Sequence, residues 1–281
     1  MPKHTHKRYV RSAFPSGSIR IQPRDVALLQ SLFSYRFLTT EQIMALHPGG
    51  LRNLQRRLRC LYHLGYLDRP PEQSNAGLSD SHLVYGLGPK AAALLDSYDE
   101  RSIKRLRTAK PNISHALMIS QFHTVLHLAL KKHGGMITRW SQGYELKDML
   151  AVRGRKAELV PDAFFSIEDG DDRWNFFLEA DRSTMPTNRI LDKMKIYWQW
   201  SRNQTHHKIL DITRFRVLTI TLSPQRKENL TRITKNADTR QEGSNMYLFA
   251  TEKDYSLKNS EAVLQAIWSS PKGDEPHMIL E

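Results

Sequence analysis

Cysteine is almost missing from this sequence of 281 residues, in which Cys60 is the only one. A single cysteine excludes an internal disulfide framework and any zinc site built from several cysteines. Long apolar runs are also missing, because no stretch approaches the roughly 20 residues that span a bilayer. The basic first residues are not followed by the apolar segment of a secretory signal. We therefore expect a cytoplasmic, nucleoid-associated protein without a membrane partner.

Several ligand motifs are missing as well. No Gly-x-x-x-x-Gly-Lys-Ser/Thr loop occurs, so we expect no nucleotide cofactor. The acidic turn at 168–172 lacks the alternating carboxylates and terminal glutamate of a calcium loop. A rolling-circle relaxase carries a His-hydrophobe-His motif, whereas His4 and His6 flank a polar threonine and His206 and His207 are adjacent. These patterns argue against a tyrosine relaxase.

Positive charge is what the sequence has in excess, with 42 lysines and arginines, 29 aspartates and glutamates, and a net charge of +13. Residues 1–110 hold 18 basic and 8 acidic residues, whereas residues 111–281 hold 24 and 21. The first part is therefore suited to a polyanionic partner, for which we predict double-stranded DNA. The alternative is a basic surface that is simply solvated. The length favours two domains.

Helical periodicity characterises residues 21–98, for which we predict a winged-helix DNA-binding domain. Apolar residues recur at helical spacing over 24–36. A short helix capped by Thr39 or Thr40 follows, and a third helix is expected over 51–64.

A hairpin and a closing helix complete the predicted winged-helix domain. Two β-like stretches, at 66–69 and 81–87, surround a loop rich in proline, glycine and polar residues, which predicts the wing. A further helix is expected over 90–98. The basic residues 1–20 are expected to be flexible, and the polar, basic segment 99–111 is the predicted linker.

The third helix is amphipathic, with Leu51, Leu54, Leu58 and Leu61 in one apolar sector. Like charges stacked on the opposite face repel one another unless an anion neutralises them. Arginine and glutamine are also side chains that read guanine and adenine edges in the major groove. The alternative is a solvated arginine face. The predicted DNA-binding residues are Arg52, Gln55, Arg56, Arg59 and His63.

Residues 112–270 alternate between helical and strand patterns, which predicts an α/β domain with a mixed sheet. Residues 271–281 are expected to be a loose tail. Helices are expected over 112–133, 187–200, 228–237 and 260–268, and strands over 136–146, 158–167, 174–180, 215–222 and 245–250.

Carboxylates stand at the ends of two of the predicted strands. Asp162 begins one strand, Glu179 ends the next, and an Asp-Gly turn predicts a hairpin between them. The two acids should therefore converge, with Asp181 on the same face as Glu179 because strand side chains alternate. Converging carboxylates repel unless a cation lies between them, and Mg²⁺ or Mn²⁺ would suit such oxygen ligands. The alternative is a set of solvated strand-end acids.

The helix predicted at 187–200 supplies a candidate cation. Lys193 and Tyr197 share one border of its apolar face, and Lys195 lies on the other border. A lysine beside the carboxylates would stabilise the charge that develops on a phosphate during its transfer. The alternative is that each lysine only extends along the edge of the core to reach water.

These motifs resemble the PD-(D/E)XK, or restriction-endonuclease-like, superfamily, and more narrowly the replication-relaxation family of plasmid and mobile-element proteins. The resemblance covers roughly residues 25–200. It implies a winged helix followed by a nuclease-like α/β domain, with Asp162, Glu179 and Lys193 catalytic, Asp181, Tyr197 and Lys195 supporting, and Asp162, Glu179 and Asp181 on the metal. The matching segments are LRNLQRRLRCL from residue 51, YGLGPKAAALL from 85, VPDA from 160, FLEADRST from 177 and KMKIY from 193.

One departure from the superfamily pattern keeps two functions open. The superfamily lysine normally stands two residues after the acid, where this sequence has Asp181, so Lys193 on the next helix is the matching position. The first candidate function is a magnesium-dependent DNA endonuclease or nickase guided by the winged helix. The second is a non-catalytic DNA-binding regulator or replication and mobilisation accessory protein with a degenerate nuclease fold. A second copy of the chain and other proteins of the same mobile element are further candidate partners.

Overall fold

A computed structural model describes residues 9–11, 19–75, 83–95, 100–108, 112–151 and 157–281. The chain divides into two compact units, residues 1–124 and 125–281, and the division falls inside one long helix. Most of the predicted flexible segment 1–20, the tip of the predicted wing, the end of the helix expected at 90–98 and the end of the predicted linker lie outside the described residues. The domain limits drawn from the sequence stay predictions.

The first unit packs helices against a small antiparallel sheet of order β1-β3-β2. Its core consists mainly of leucines, among them Leu28, Leu32 and Leu58. Its described helices and strands include the three helices and the two hairpin strands expected from the sequence, together with others. In chain order they are α1 (Pro23–Tyr35), β1 (Leu38–Thr39), α2 (Thr40–Leu46), α3 (Leu51–Leu64), β2 (Leu67–Asp68), β3 (Val84–Leu87), α4 (Glu100–Thr108) and the first part of α5 (Ile113–His133).

Local signals explain the ends of α2 and α3. The Thr39 side chain accepts a hydrogen bond from the backbone N–H of Gln42, whose side chain accepts one from the Thr39 N–H, so α2 begins with a reciprocal cap. Helix α3 ends at Gly65, which adopts the left-handed conformation that glycine tolerates best. The cap and the limits of the third helix are confirmed.

Two expectations for the first unit are wrong. Leu51, which the leucine spacing places in the apolar sector, is 50% exposed at the first position of α3 rather than buried with Leu54 and Leu58. Among the described residues of 90–98, the structure has a short 3₁₀ turn at Ala91–Leu94 rather than an α-helix.

The second unit contains a seven-stranded mixed sheet of order β10-β9-β8-β7-β6-β5-β4. Strands β6, β7 and β8 are parallel, and the other neighbours are antiparallel. The predicted α/β class with a mixed sheet is confirmed. The elements are β4 (Met136–Gln142), α6 (Gly143–Leu150), β5 (Ala163–Asp169), β6 (Asp172–Asp181), α7 (Thr187–Arg202), α8 (Thr205–Leu210), β7 (Arg216–Thr221), α9 (Pro224–Thr234), β8 (Tyr247–Thr251), β9 (Trp268–Ser270) and β10 (Gly273–His277).

One face of this sheet packs against α7 and α9. Phe177 and Val217 on neighbouring strands lie in the same apolar cluster as Met194 of α7 and Leu230 of α9. Because strand side chains alternate, Glu179 points to the same face as Phe177. None of the helices in the described parts of the chain is long and apolar enough to cross a membrane.

Three expectations for the second unit are wrong. The strand expected over 136–146 stops at Gln142, because Gly143 takes a positive φ and α6 begins there. The helix expected over 260–268 is a 3₁₀ turn, Glu261–Leu264, followed by β9. The expected loose tail contains β10, whose order comes from pairing with β9.

Candidate functional site

The β5–β6 hairpin brings two of the predicted acids together. Its turn lies between the paired residues Asp169 and Asp172. Asp162 stands immediately before β5, and its N–H donates a hydrogen bond to the Leu178 carbonyl at 3.0 Å. This bond continues the β5–β6 pairing by one residue, so Asp162 lies beside Glu179. The Asp162 carboxylate accepts a hydrogen bond of 2.8 Å from the Ala180 N–H. The convergence of Asp162 and Glu179 thus follows from the register of the hairpin.

Helix α7 supplies two partners for Glu179, which is only 7% exposed to solvent. Lys193 forms an ion pair with Oε2 of this carboxylate, and the Tyr197 hydroxyl donates to Oε1 at 2.7 Å. The two side chains are four residues apart, so they reach the sheet from one face of the helix. Tyr197 is fully buried and thus belongs to the core rather than to its border.

Burial and charge set the protonation states of this cluster. Burial raises the pKa of Glu179, while the Lys193 ammonium opposes that rise. Burial alone would lower the pKa of Lys193, but the negative charges of Glu179 and Asp162 outweigh it, so the pKa is raised and the amine stays charged. Burial and Glu179 also raise the pKa of Tyr197, whose phenol therefore remains a neutral donor.

The structure does not bring Asp181 or Lys195 into this cluster. The Asp181 carboxylate is bound by Arg226 of α9, with 2.7 Å between Nε and Oδ2 and 3.3 Å between Nη2 and Oδ1. Lys195 is exposed and lies 3.9 Å from Asp192 on the outer side of α7. The cluster therefore consists of Asp162, Glu179, Lys193 and Tyr197.

The donor set fits a divalent cation only in a particular way. Within the described residues, no group of three or more acids, histidines or cysteines is placed to hold a metal ion. Mg²⁺, however, commonly uses one or two carboxylates and completes its shell with waters and substrate phosphate. Asp162 and Glu179 meet that requirement. A cation bound at Oε2 of Glu179 would share that oxygen with Lys193 or displace the lysine from it.

Helix α3 presents the predicted basic face of the first unit. The residues of this face that are exposed are Arg52, Gln55, Arg56 and Arg59. His63 is half-buried, with its ring centroid 5.3 Å from that of Tyr62. Burial lowers the pKa of His63, and nearby arginines lower it further, so the imidazole tends to be neutral. The exposed cations of the face are thus the three arginines.

Two arginines with buried carboxylate partners, Arg57 and Arg226, are not among the residues predicted from the sequence. Arg57 lies on α3 but points to the core side, where it binds Asp25 rather than the solvent. Consecutive residues of an α-helix are rotated by about 100°, so Arg57 projects from a different side of α3 than Arg56, and the sequence position alone indicates this. Arg226 and Asp181 are 45 residues apart, and no sequence pattern links them.

These observations define the class of protein: a two-unit chain with a basic helix in one unit and an acid–lysine–tyrosine cluster at the ends of two inner strands of the sheet in an α/β unit. The sequence profile of the replication-relaxation family matches residues 29–212, which is more than half of the chain. The chain therefore belongs to the replication-relaxation family.

Two solved structures are similar to this chain. The restriction endonuclease FokI is 12% identical, with a TM-score of 0.32, over 88% of this chain and 45% of that chain. FokI bound to DNA is 13% identical, with a TM-score of 0.32, over 85% of this chain and 44% of that chain. This chain thus spans less than half the length of either structure. No curated protein matches the sequence at a significant level.

Proposed function

We propose that this protein binds double-stranded DNA of a plasmid or other mobile element and cleaves it as a metal-dependent endonuclease or nickase. Membership of the replication-relaxation family and the basic excess of residues 1–110 support the DNA-related part. The observation that carries the catalytic part is the ion pair of Lys193 with Glu179 beside Asp162. An acid pair that can hold a metal ion, with a lysine beside it, is a set of groups that can support phosphodiester hydrolysis.

Each group of the cluster has a separate role in this proposal. Asp162 and Glu179 would hold a divalent cation, whose chemistry is to make a bound water nucleophilic at neutral pH and to polarise a phosphate oxygen. Lys193, displaced from Glu179, would contact the scissile phosphate and stabilise its developing charge. Tyr197 would keep Oε1 of Glu179 in a fixed orientation.

The DNA-binding role falls to α3 in this proposal. Its exposed arginines would contact phosphates and base edges, while Gln55 is suited to adenine. Phosphate contacts position the helix on the duplex, and the base contacts select the site.

A second candidate function is supported by the charge balance of the same cluster. Glu179 is paired with Lys193, and Asp181 is paired with Arg226. Acids compensated by protein cations need no metal for stability. The second unit would then be a retired nuclease core that serves for DNA docking or assembly, and the protein would be a regulator or a replication and mobilisation accessory protein.

Plasmid cleavage separates the two functions. Supercoiled plasmid and oligonucleotides carrying the preferred binding site are incubated with Mg²⁺ or Mn²⁺ and scored for nicked and linear products. We expect Lys193→Ala to abolish cleavage while leaving DNA affinity nearly unchanged, because a transition-state contact affects rate more than ground-state binding. Lys195→Ala is the matched control and should cleave like the wild type.

Each variant is compared by thermal unfolding, because Lys193→Ala leaves the buried Glu179 with one partner fewer. Wild-type protein that leaves every substrate uncut with both metals would refute the enzyme and favour the accessory protein. Cleavage by a folded Lys193→Ala variant at the wild-type rate would refute the role of this lysine.

A further inference from the structure

The Asp181 carboxylate forms an ion pair with the guanidinium of Arg226. The side chain of Asp181 is 6% exposed and that of Arg226 is 15% exposed, so the pair is largely shielded from water. Arg226 binds both carboxylate oxygens, which is the strong, oriented form of such a pair. An acid held in this way is not available as a metal ligand unless the arginine leaves.

Arg226 also ties Asp181 to the segment that leads into α7. Its Nη2 donates to the Met185 carbonyl at 2.7 Å, and its Nη1 donates to the Thr187 hydroxyl at 3.4 Å. The backbone N–H of Arg226 is itself held by the side chain of Ser223, the N-cap of α9. One guanidinium thus joins the end of β6, the following turn and the start of the helix that carries Lys193.

We propose that Arg226 is a positioning residue that withholds Asp181 from the candidate cation site. The inference deepens the proposed nuclease function, because it assigns Asp162 and Glu179, without Asp181, as the carboxylates of that site. Without the guanidinium, Asp181 would be a third negative group two residues from Glu179 on the same strand face. An added negative charge would strengthen cation binding, and Arg226 prevents that.

Binding of Mn²⁺ to the full-length protein, followed by electron paramagnetic resonance of the free ion, tests the proposal. Asp181→Asn alone should weaken Mn²⁺ binding, because it leaves the Arg226 cation without its partner near the site. Arg226→Gln should tighten binding roughly tenfold, since it releases one carboxylate charge close to the site. The double variant Arg226→Gln/Asp181→Asn should return to wild-type affinity, which assigns the gain to Asp181.

Two controls distinguish charge from fold. Arg226→Lys keeps the positive charge and should retain wild-type Mn²⁺ affinity. Arg232→Gln removes an exposed arginine from the same helix and should also bind Mn²⁺ like the wild type. Weaker Mn²⁺ binding in the double variant than in the wild type would overturn the proposal by making Asp181 a ligand. So would a folded Arg226→Gln variant that gains no affinity.

The Mn²⁺ measurements can refute the role of Arg226 without refuting the proposed nuclease, and the reverse. If the wild type binds no Mn²⁺ but Arg226→Gln does, the proposed enzyme fails while the role of Arg226 stands. If the wild type binds Mn²⁺ and Arg226→Gln binds it no more tightly, the role of Arg226 fails while the enzyme stands. If neither protein binds Mn²⁺, both proposals fail.

Discussion

Asp25 shows how one arginine of α3 serves the fold rather than a ligand. The residue is 2% exposed, and its Oδ1 accepts a hydrogen bond of 2.8 Å from Nε of Arg57. Its Oδ2 accepts from the backbone N–H of Gln22 at 2.7 Å and contacts the second Arg57 nitrogen. The hydrogen bond with Asp25 raises the pKa of Arg57. Arg57 therefore fastens the start of α1 to α3.

We predict that Arg57→Ala lowers the free energy of unfolding by about 3–5 kcal/mol, because it leaves a buried carboxylate without its cation. Arg56→Ala, one residue away on the exposed face, should change it by no more than about 0.5 kcal/mol. Urea unfolding followed by far-ultraviolet circular dichroism measures both variants. Equal destabilisation of the two variants would contradict the separation of α3 into a structural and an exposed side.

Residues close in sequence or joined by a tight turn can be predicted to meet. Asp162 and Glu179 are linked by a hairpin that an Asp-Gly pair predicts, and Lys193 and Tyr197 share a helix face by their spacing. The pairing of Asp181 with Arg226 depends on how α9 packs on the sheet, and tertiary packing is not encoded in any local pattern. The sequence thus predicts which acids converge and which side chains share a helix face. The contact of α7 with Glu179, the pairing of Asp181 and the outward position of Lys195 depend on tertiary packing.

At the scale of elements, strong periodicity and a clear stop made α3 predictable. Its leucine spacing and Gly65 define both ends. Strand β10 has no such signal, because the sequence Gly-Asp-Glu-Pro-His is polar and mostly exposed. Its strand character comes from hydrogen bonds to β9, which is itself only three residues long. Hydrophobic periodicity therefore fails to predict short polar strands such as β10, whose conformation depends on pairing with a neighbouring strand.

The exposed face of α3 leads to a prediction about DNA affinity. The triple variant Arg52→Ala, Arg56→Ala, Arg59→Ala should lose most of the affinity in a gel-shift assay, because it removes three cations from the face that would meet phosphate. All three side chains are exposed, so the fold should persist, which circular dichroism checks. A folded triple variant with unchanged affinity would remove α3 from the DNA interface.

At the scale of the whole molecule, the position of the charge matters more than its sum. The two units differ strongly in charge density, since the basic excess lies in residues 1–110. The candidate cluster in the second unit pairs its acids with Lys193 and with Arg226 nearby. The chain thus separates a surface suited to a polyanion from a nearly balanced α/β unit.

The salt dependence of DNA binding tests this separation. Replacing the exposed arginines Arg173, Arg202 and Arg232 by alanine lowers the net charge from +13 to +10, as the α3 triple variant does. An arginine that neutralises a phosphate contributes about 0.9 to the slope of log affinity against log salt. The slope of the α3 variant should therefore fall by roughly 3, and that of the other variant should barely change. Titrations over a range of salt concentrations measure both slopes. If the slope falls equally in the two variants, binding follows total charge, and the assignment of the DNA surface to the first unit is wrong.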